Sequence, residues 1–313
     1  MDLNAARFKR APLGVRLAKD WRLNRLAYIM ALPVAAYFIT FCYLPMYGVA
    51  IAFKKYSPIK GIMGSAWVGL KYFREFTGGY FFWRTIRNTF LLGVFDIVWA
   101  FPAAIAFALL VNEMKFARLK KTIQTITYLP YFVSSVVIAG VILAFCAPNG
   151  LAGIYFNLLG QTPRSFLGDA RYFRSVYVIS NIWQYMGFNS IIYLAALAGI
   201  DQELYDAAVI DGAGRWRRLL NISLPGIAPT IAILFIMRLG STLNVGSEKI
   251  LLIYNAGIYE TSDVIATFTY RKGLLENNFG YSTAVGLLNS LVNFVILYAA
   301  NALSRRVSEV SLW

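Results

Sequence analysis

The sequence contains no histidine and only two cysteines, and charge of either sign is scarce. Charged residues make up 14% of its 313 residues, against roughly a quarter in a soluble domain. Without histidine there is no imidazole general base, no His metal ligand and no His proton relay. Cys42 and Cys146 are too few for a disulfide scaffold or a Cys-rich metal site. Both sit in apolar runs, which reads as two buried free thiols. Acids are the scarcer sign: 15 Asp and Glu face 30 Lys and Arg, for a formal charge of +15. No Gly-Lys pair occurs anywhere, so there is no Walker-type loop to cradle ATP. These absences exclude a soluble globular enzyme and a disordered tail. No metal cluster or nucleophile–base pair stands out for an intramembrane enzyme either.

What the chain has in quantity is hydrophobic length, with 58% of its residues apolar. A bilayer span needs about 20 mostly apolar residues, and six stretches qualify: 26–53, 85–111, 122–146, 172–199, 225–253 and 281–303. Prolines inside them are tolerable where neighbouring helices re-satisfy the freed carbonyls. Residues 1–25 spread their charge over Arg7, Lys9, Arg10, Arg16, Lys19, Arg22 and Arg25 and show no small-residue cleavage site, so they do not read as a signal peptide. Under the positive-inside rule this segment lies in the cytoplasm. The expectation is therefore an all-α membrane protein with six transmembrane helices and both termini inside. It divides into a basic cytoplasmic segment, 1–25, and one six-span transmembrane domain, 26–313, that carries the inner loop 200–224. The outer loops are then 54–84, 146–174 and 254–280, and they are basic and aromatic as well.

The cytoplasmic piece 200–224 is longer than the other inner loops and reads as a helix–turn–helix. Asp201 is an N-cap candidate, followed by good helix formers. Ala207 and Ala208 permit close approach of another backbone, Asp211-Gly212 signals a turn, and Gly214 permits a second close approach. Arg215, Trp216, Arg217 and Arg218 open a basic, aromatic second segment. Such a loop suits docking into a cleft on a partner; the alternative is an ordinary solvated connector.

The clusters Asp206-Ala207-Ala208, Asp211-Gly212-Ala213 and Ile222 with Leu224-Pro225 resemble, in residues and spacing, the coupling loop of ABC importer permeases. Asp206 stands where that family usually has Glu, which keeps the charge and shortens the reach. Stretches elsewhere extend the resemblance over nearly the whole chain and toward the oligosaccharide and polysaccharide branch. They include Leu44-Pro45-Met46-Tyr47-Gly48, Arg87-Asn88-Thr89, Tyr128-Leu129-Pro130 and Leu251-Leu252-Ile253-Tyr254-Asn255. The resemblance implies a type I ABC importer permease fold in a bacterial inner membrane. It implies a second homologous permease subunit, two ATP-binding subunits that hold ATP and Mg, and an external solute-binding protein. The implied substrate is an oligo- or polysaccharide, an acidic one such as alginate among the candidates. The chain itself would bind no cofactor, and its contacts would be with lipid rather than nucleic acid. Residues 206–208 and 211–215 would form the helix that inserts into the ATPase. The rival from another class is a secondary transporter driven by an ion gradient, which needs a membrane-embedded acid.

Polar groups inside spans are costly and mark candidate function. In the fourth span Asn181, Gln184, Tyr185, Phe188 and Asn189 recur at helical spacing. Amides and phenols beside aromatic faces suit sugar hydroxyls and ring C–H surfaces; helix–helix hydrogen bonding is the alternative. Asp96 and Arg238 are the most deeply placed charges, either a pair or, for Arg238 with Ser241 and Thr242, an attraction for an anionic sugar. Asn289 and Asn293 share a face of the last span and read as interhelical glue. Lys249 and Glu248 fall inside the fifth span with no role assigned.

Overall fold

The computed structural model describes the backbone of residues 13–307 and the side-chain surroundings of 21 and 23–302. The basic residues Arg7, Lys9 and Arg10 lie outside the described residues. The main helices are α1 (Leu13–Phe38), α2 (Phe82–Asn112), α3 (Ala117–Tyr128), α4 (Ser135–Cys146) and α5 (Ala170–Ala198). They are followed by α6 (Gln202–Ile210), α7 (Ala228–Gly240), α8 (Ser247–Ile253) and α9 (Phe279–Val307). A two-residue antiparallel ribbon pairs Lys54 with Trp67 and Lys55 with Ala66.

Four helices among the described residues are long and apolar enough to cross a membrane: Leu23–Phe53, Phe82–Asn112, Ser135–Leu158 and Phe279–Ala302. A fifth joins them if Arg215–Gly226 and Ala228–Gly240, bent by 59°, count as one. α5, with 29 residues, spans about 44 Å at 1.5 Å per residue, and its polar residues dilute its apolar character. Two expected spans are not single helices. The 122–146 stretch breaks after Tyr128 into a tight turn, Leu129–Phe132, around Pro130, and helix resumes at Ser135, capped by Ser134 Oγ. The 225–253 stretch bends at Ile227 between Pro225 and Pro229, and α7 ends at Gly240. Proline removes a donor and clashes with the preceding turn, so both breaks follow from sequence.

Proline also explains a repeated detail. Helical turns widened by one residue run over Ile39–Tyr43, Asp96–Ala100 and Leu219–Ser223, each just before a residue followed by proline. Leu44, Phe101 and Leu224 each donate their backbone N–H five residues back instead of four. Proline has no N–H for the carbonyl four residues back, and widening the turn re-pairs its neighbours.

A kink at Asn24 (φ −116°, ψ 20°) divides α1. The rest of this chain leaves α1 uncovered along most of its length. Only its continuation, Tyr47–Phe53, docks onto α9, with Ala52 fully buried beside Tyr281 and Val285. Cys42 is therefore exposed on the isolated chain, not buried; Cys146 is buried, and both are free. Two further apolar clusters hold the bundle together. One gathers Leu92, Ile142, Phe173 and Ile250 from α2, α4, α5 and α8. The other packs Ala104 and Ala108 of α2 against Tyr193 and Leu197 of α5 and Ile227 at the bend.

Candidate functional site

Between α2, α5, α7 and α8 lies a cavity of about 680 Å³, within the usual size range for small-ligand sites. Gly93 of α2 helps close its wall. A Cβ there would run into the Thr242 backbone, so only glycine lets α2 pass this close to the 241–246 connector. Below it the wide turn Asp96–Ala100 presents Asp96 to the cavity. Asp96 accepts from Arg238 of α7 and, at 3.1 Å, from Asn181 Nδ2 of α5. Lys249 Nζ of α8 donates to Asn181 Oδ1 at 2.8 Å. Arg238, Asp96, Asn181 and Lys249 thus form one chain of contacts along the wall.

The connector itself is pinned from two sides. Gly246 N–H donates to Tyr177 OH at 3.1 Å, and Leu243 N–H donates to Asn293 Oδ1 at 3.2 Å. Asn293 Nδ2 also donates to Asn244 Oδ1. Asn293 is thus interhelical glue, whereas Asn289 Oδ1 has no hydrogen-bond partner among the described residues. Ser135 Oγ donates to Glu248 Oε2 at 2.9 Å, tying α4 to α8.

Six of the eight residues expected on the path face this cavity: Asn181, Tyr185, Asn189, Arg238, Ser241 and Thr242. Gln184 and Phe188 do not. Gln184 is buried off the cavity wall, its Oε1 without a partner among the described residues. Phe188 stacks on Tyr131 at 3.7 Å between ring centroids. A stripe spaced by three and four residues is wide, and its flank points at neighbouring helices rather than at the opening. Lys249, left without a role by its sequence, is among the polar cavity residues that sequence reasoning missed, with Tyr131, Ser135, Tyr177, Asn244 and Glu248. Its position in a polar-punctuated span beside Glu248 was the available signal.

The 200–224 piece is a helix and turn with fixed ends. Asp201 caps α6 by accepting from Glu203 N–H at 3.0 Å. At the other end Ala213 N–H donates to Ala208 C=O at 2.8 Å and Gly212 N–H to Val209 C=O at 3.0 Å. This nested pair closes a helix on a left-handed residue, and Gly212 has φ +73°. The Asp211-Gly212-Ala213 cluster is therefore the stop signal of α6. Asp206 Oδ1 accepts from Gln202 Nε2 one turn back, and Ala207 is exposed while Ala208 is half-buried. Gly214 precedes the short helix Arg215–Arg218, and among the described residues a Cβ added there would meet open space. Tyr205 OH meets Ser223 Oγ at 2.9 Å and holds α6 against the run into α7. Facing outward are Ile210, 86% exposed, and Trp216, 74% exposed, with Leu204 and Val209 also exposed. Arg215 is exposed beside them.

A second ionic centre joins the three loops expected outside. Asp263, with no exposed side-chain area, takes Arg84 and Arg271 on Oδ2, each at 2.8 Å, and Thr267 Oγ1 on Oδ1 at 3.0 Å. Asn88 Nδ2 donates to the Glu260 and Asp263 carbonyls, and Arg174 donates to Asn88 Oδ1 at 3.1 Å. Burial alone would lower the Arg271 pKa; the hydrogen bond and charge of Asp263 outweigh it and the net shift is upward. The loop aromatics divide in the same region. Tyr72 and Phe76 pack with Phe268 and Tyr281, while Trp67, Tyr80 and Trp83 stay exposed.

Apolar rods around a polar, charged cavity, with a capped helix outside the rods, define a polytopic membrane transport subunit. The chain belongs to the family of binding-protein-dependent transport system inner membrane components, whose pattern matches residues 104–309. It is 42% identical over 301 residues to Protein LplB of Bacillus subtilis (strain 168), covering 96% of this chain and 95% of that one. It is 38% identical over 307 residues to the polygalacturonan/rhamnogalacturonan transport system permease protein YteP of the same organism, covering 97% and 94%. Among solved structures it resembles a chain of a bacterial alginate ABC transporter in complex with alginate pentasaccharide-bound periplasmic protein. That match has a TM-score of 0.86 and 40% identity and covers 95% of this chain and all of that one. The protein is thus a multi-pass inner-membrane permease of the ABC importer type, and the ion-gradient alternative is set aside.

Proposed function

We propose that this chain is the transmembrane subunit of an ATP-driven importer that passes an acidic oligo- or polysaccharide through the 680 Å³ cavity. The observation that carries the reading is that cavity's lining: amides, phenols and both signs of charge, enclosed by otherwise apolar helices. Amides and phenols pair with sugar hydroxyls, and aromatic faces with ring C–H surfaces. Similarity to permeases of polygalacturonan and alginate systems supports an acidic sugar. In this reading the chain crosses the membrane six times with both termini inside, α5 and the bent 215–240 pair included. Residues 1–25 form a basic cytoplasmic approach to a single domain, 26–313. A second permease subunit completes the path. An external binding protein delivers sugar, and two ATP-binding subunits hold and hydrolyse ATP with Mg.

The loop Asp206, Ala207, Ala208, Asp211, Gly212, Ala213, Gly214 and Arg215 is the point where those subunits push. Its capped helix is a rigid lever, and exposed Ile210 and Trp216 give it apolar surface to bury. Nucleotide-driven closure of the ATPases moves α6, and the spans open outward to receive sugar; hydrolysis resets them inward. The test is uptake of a labelled acidic oligosaccharide, and the ATP hydrolysis it stimulates, by the whole importer in liposomes, with Gly212→Leu compared against wild type. A side chain at φ +73° strains the lever's end, costing about 1–2 kcal/mol locally. Sugar-stimulated ATP hydrolysis is expected to fall roughly tenfold, within the range of coupling energies between sites. Undiminished stimulation in an assembled complex would remove the loop from the mechanism.

A further inference from the structure

The two cations of the cavity differ in what already holds them. Arg238 is bound to Asp96, so its charge is compensated within the wall. Lys249 is 5% exposed, and among the described residues no carboxylate oxygen lies within 4.0 Å of its Nζ. Its one hydrogen-bond acceptor there is a neutral amide, Asn181 Oδ1, at 2.8 Å. Asn181 cannot turn to serve another group, because its Nδ2 is engaged by Asp96. The ring of Tyr185 lies 5.2 Å from Nζ and that of Tyr177 6.0 Å, so the ammonium is fixed in place with donors to spare. A buried ammonium without a counter-ion is costly, and this one lines the cavity beside Tyr185 and Asn181.

We propose that Lys249 Nζ, presented by Asn181 and Tyr185, is the carboxylate-binding site of the path and takes the uronate groups of the passing sugar chain. Arg238, partly exposed to the same cavity, already carries Asp96 as its counter-ion, so its charge is the less available of the two. Asp96 acts as an internal stand-in that keeps Arg238 neutralised and orients Asn181 toward Lys249. The sugar chain therefore meets, beside the paired Arg238 and Asp96 and the Ser135-bound Glu248, an ammonium with no carboxylate against it, which favours acidic units. The proposal rests on the reading of this protein as a polysaccharide permease and assigns one specificity-determining residue within it.

The test uses the complete importer in liposomes, as wild type, Lys249→Gln and Lys249→Arg, each first confirmed as an assembled complex by size-exclusion chromatography. Uptake is measured for an oligouronate and for its carboxyl-reduced counterpart, each variant being divided by wild type for the same sugar so that delivery by the binding protein cancels. Lys249→Gln is expected to lose oligouronate uptake by roughly tenfold or more, the scale of one charge-assisted hydrogen bond. The reduced sugar is expected to change less than about twofold, and Lys249→Arg to keep most of the oligouronate uptake. Equal loss of both sugars, loss in Lys249→Arg as deep as in Lys249→Gln, or no loss at all overturns the proposal and leaves the permease reading standing. If wild type moves only the oligouronate, the gap between the Arg and Gln variants decides by the same criterion. Failure of wild type to move either sugar removes the acidic-polysaccharide reading and this proposal together.

Discussion

Asp96 and Asp263 are both buried carboxylates held by arginine, and they are built in opposite ways. Asp263 has no exposed side-chain area, two arginines and a threonine, and the arginines are themselves mostly covered. Asp96 has a single arginine whose side chain is 45% exposed, and an amide that passes the contact on to Lys249. The first is saturated and fastens loops that are far apart in sequence. The second is partly open to the cavity, where a ligand or water can reach it. A buried ion pair contributes little by its mere presence, yet removing one partner leaves an uncompensated charge. The same residue pairing therefore yields a fixed joint in one place and an adjustable wall in the other.

The largest effect should come from breaking the joint. Asp263→Asn leaves Arg84 and Arg271 facing each other without a counter-ion and is expected to cost about 3–5 kcal/mol. Thermal unfolding of the assembled complex reads this, and a loss below about 1 kcal/mol would erase the distinction drawn between the two sites. Asp96→Asn should cost less, about 1–2 kcal/mol, because Arg238 is open enough to be hydrated. Its larger consequence should be for uptake, since freed Arg238 becomes a second unpaired cation in the cavity. A stability loss equal to that of Asp263→Asn would show Asp96 to be the same kind of fastening. The finest test is Arg271→Gln, which leaves Asp263 its bond to Arg84. It is expected to cost less than Asp263→Asn by at least about 1 kcal/mol, a difference that the same unfolding measurement resolves.

What was legible in the sequence was local. The apolar runs, the Asp201 cap and the Asp211-Gly212 stop depend on neighbours a few positions away, and the structure contains each of them. Prolines 130, 225 and 229 were visible too, but run length outweighed them, so two broken segments read as continuous spans. The ionic centres depend on partners far apart along the chain, with Arg84 and Asp263 separated by 179 positions and Arg238 and Asp96 by 142. No period or motif encodes such distances. Asp96 with Arg238 was accessible only because two charges inside apolar runs must be accounted for. Lys249 escaped because nothing local points to Asn181, its acceptor 68 positions away, while its chain neighbour Glu248 turns to Ser135. Asp263 sits in a polar loop, where an acid draws no attention.

The wide turn at Asp96 has a consequence for how this helix is read. Residues four apart drift by about 40° per step around a uniform helix, so a line drawn from position 96 through 100 to 104 would wind away from one side. Yet Asp96, Ala100 and Ala104 all border the same opening. The extra residue taken up in the turn absorbs much of the drift and resets the phase for the rest of the rod. The periodicity of α2 is therefore two patterns joined at a seam. A single deletion within 96–100 would be absorbed as the turn returns to ordinary width, keeping Ala104 and Ala108 on α5, whereas the same deletion just beyond Ala100 would shift every later residue by about 100° while leaving composition and hydropathy almost unchanged.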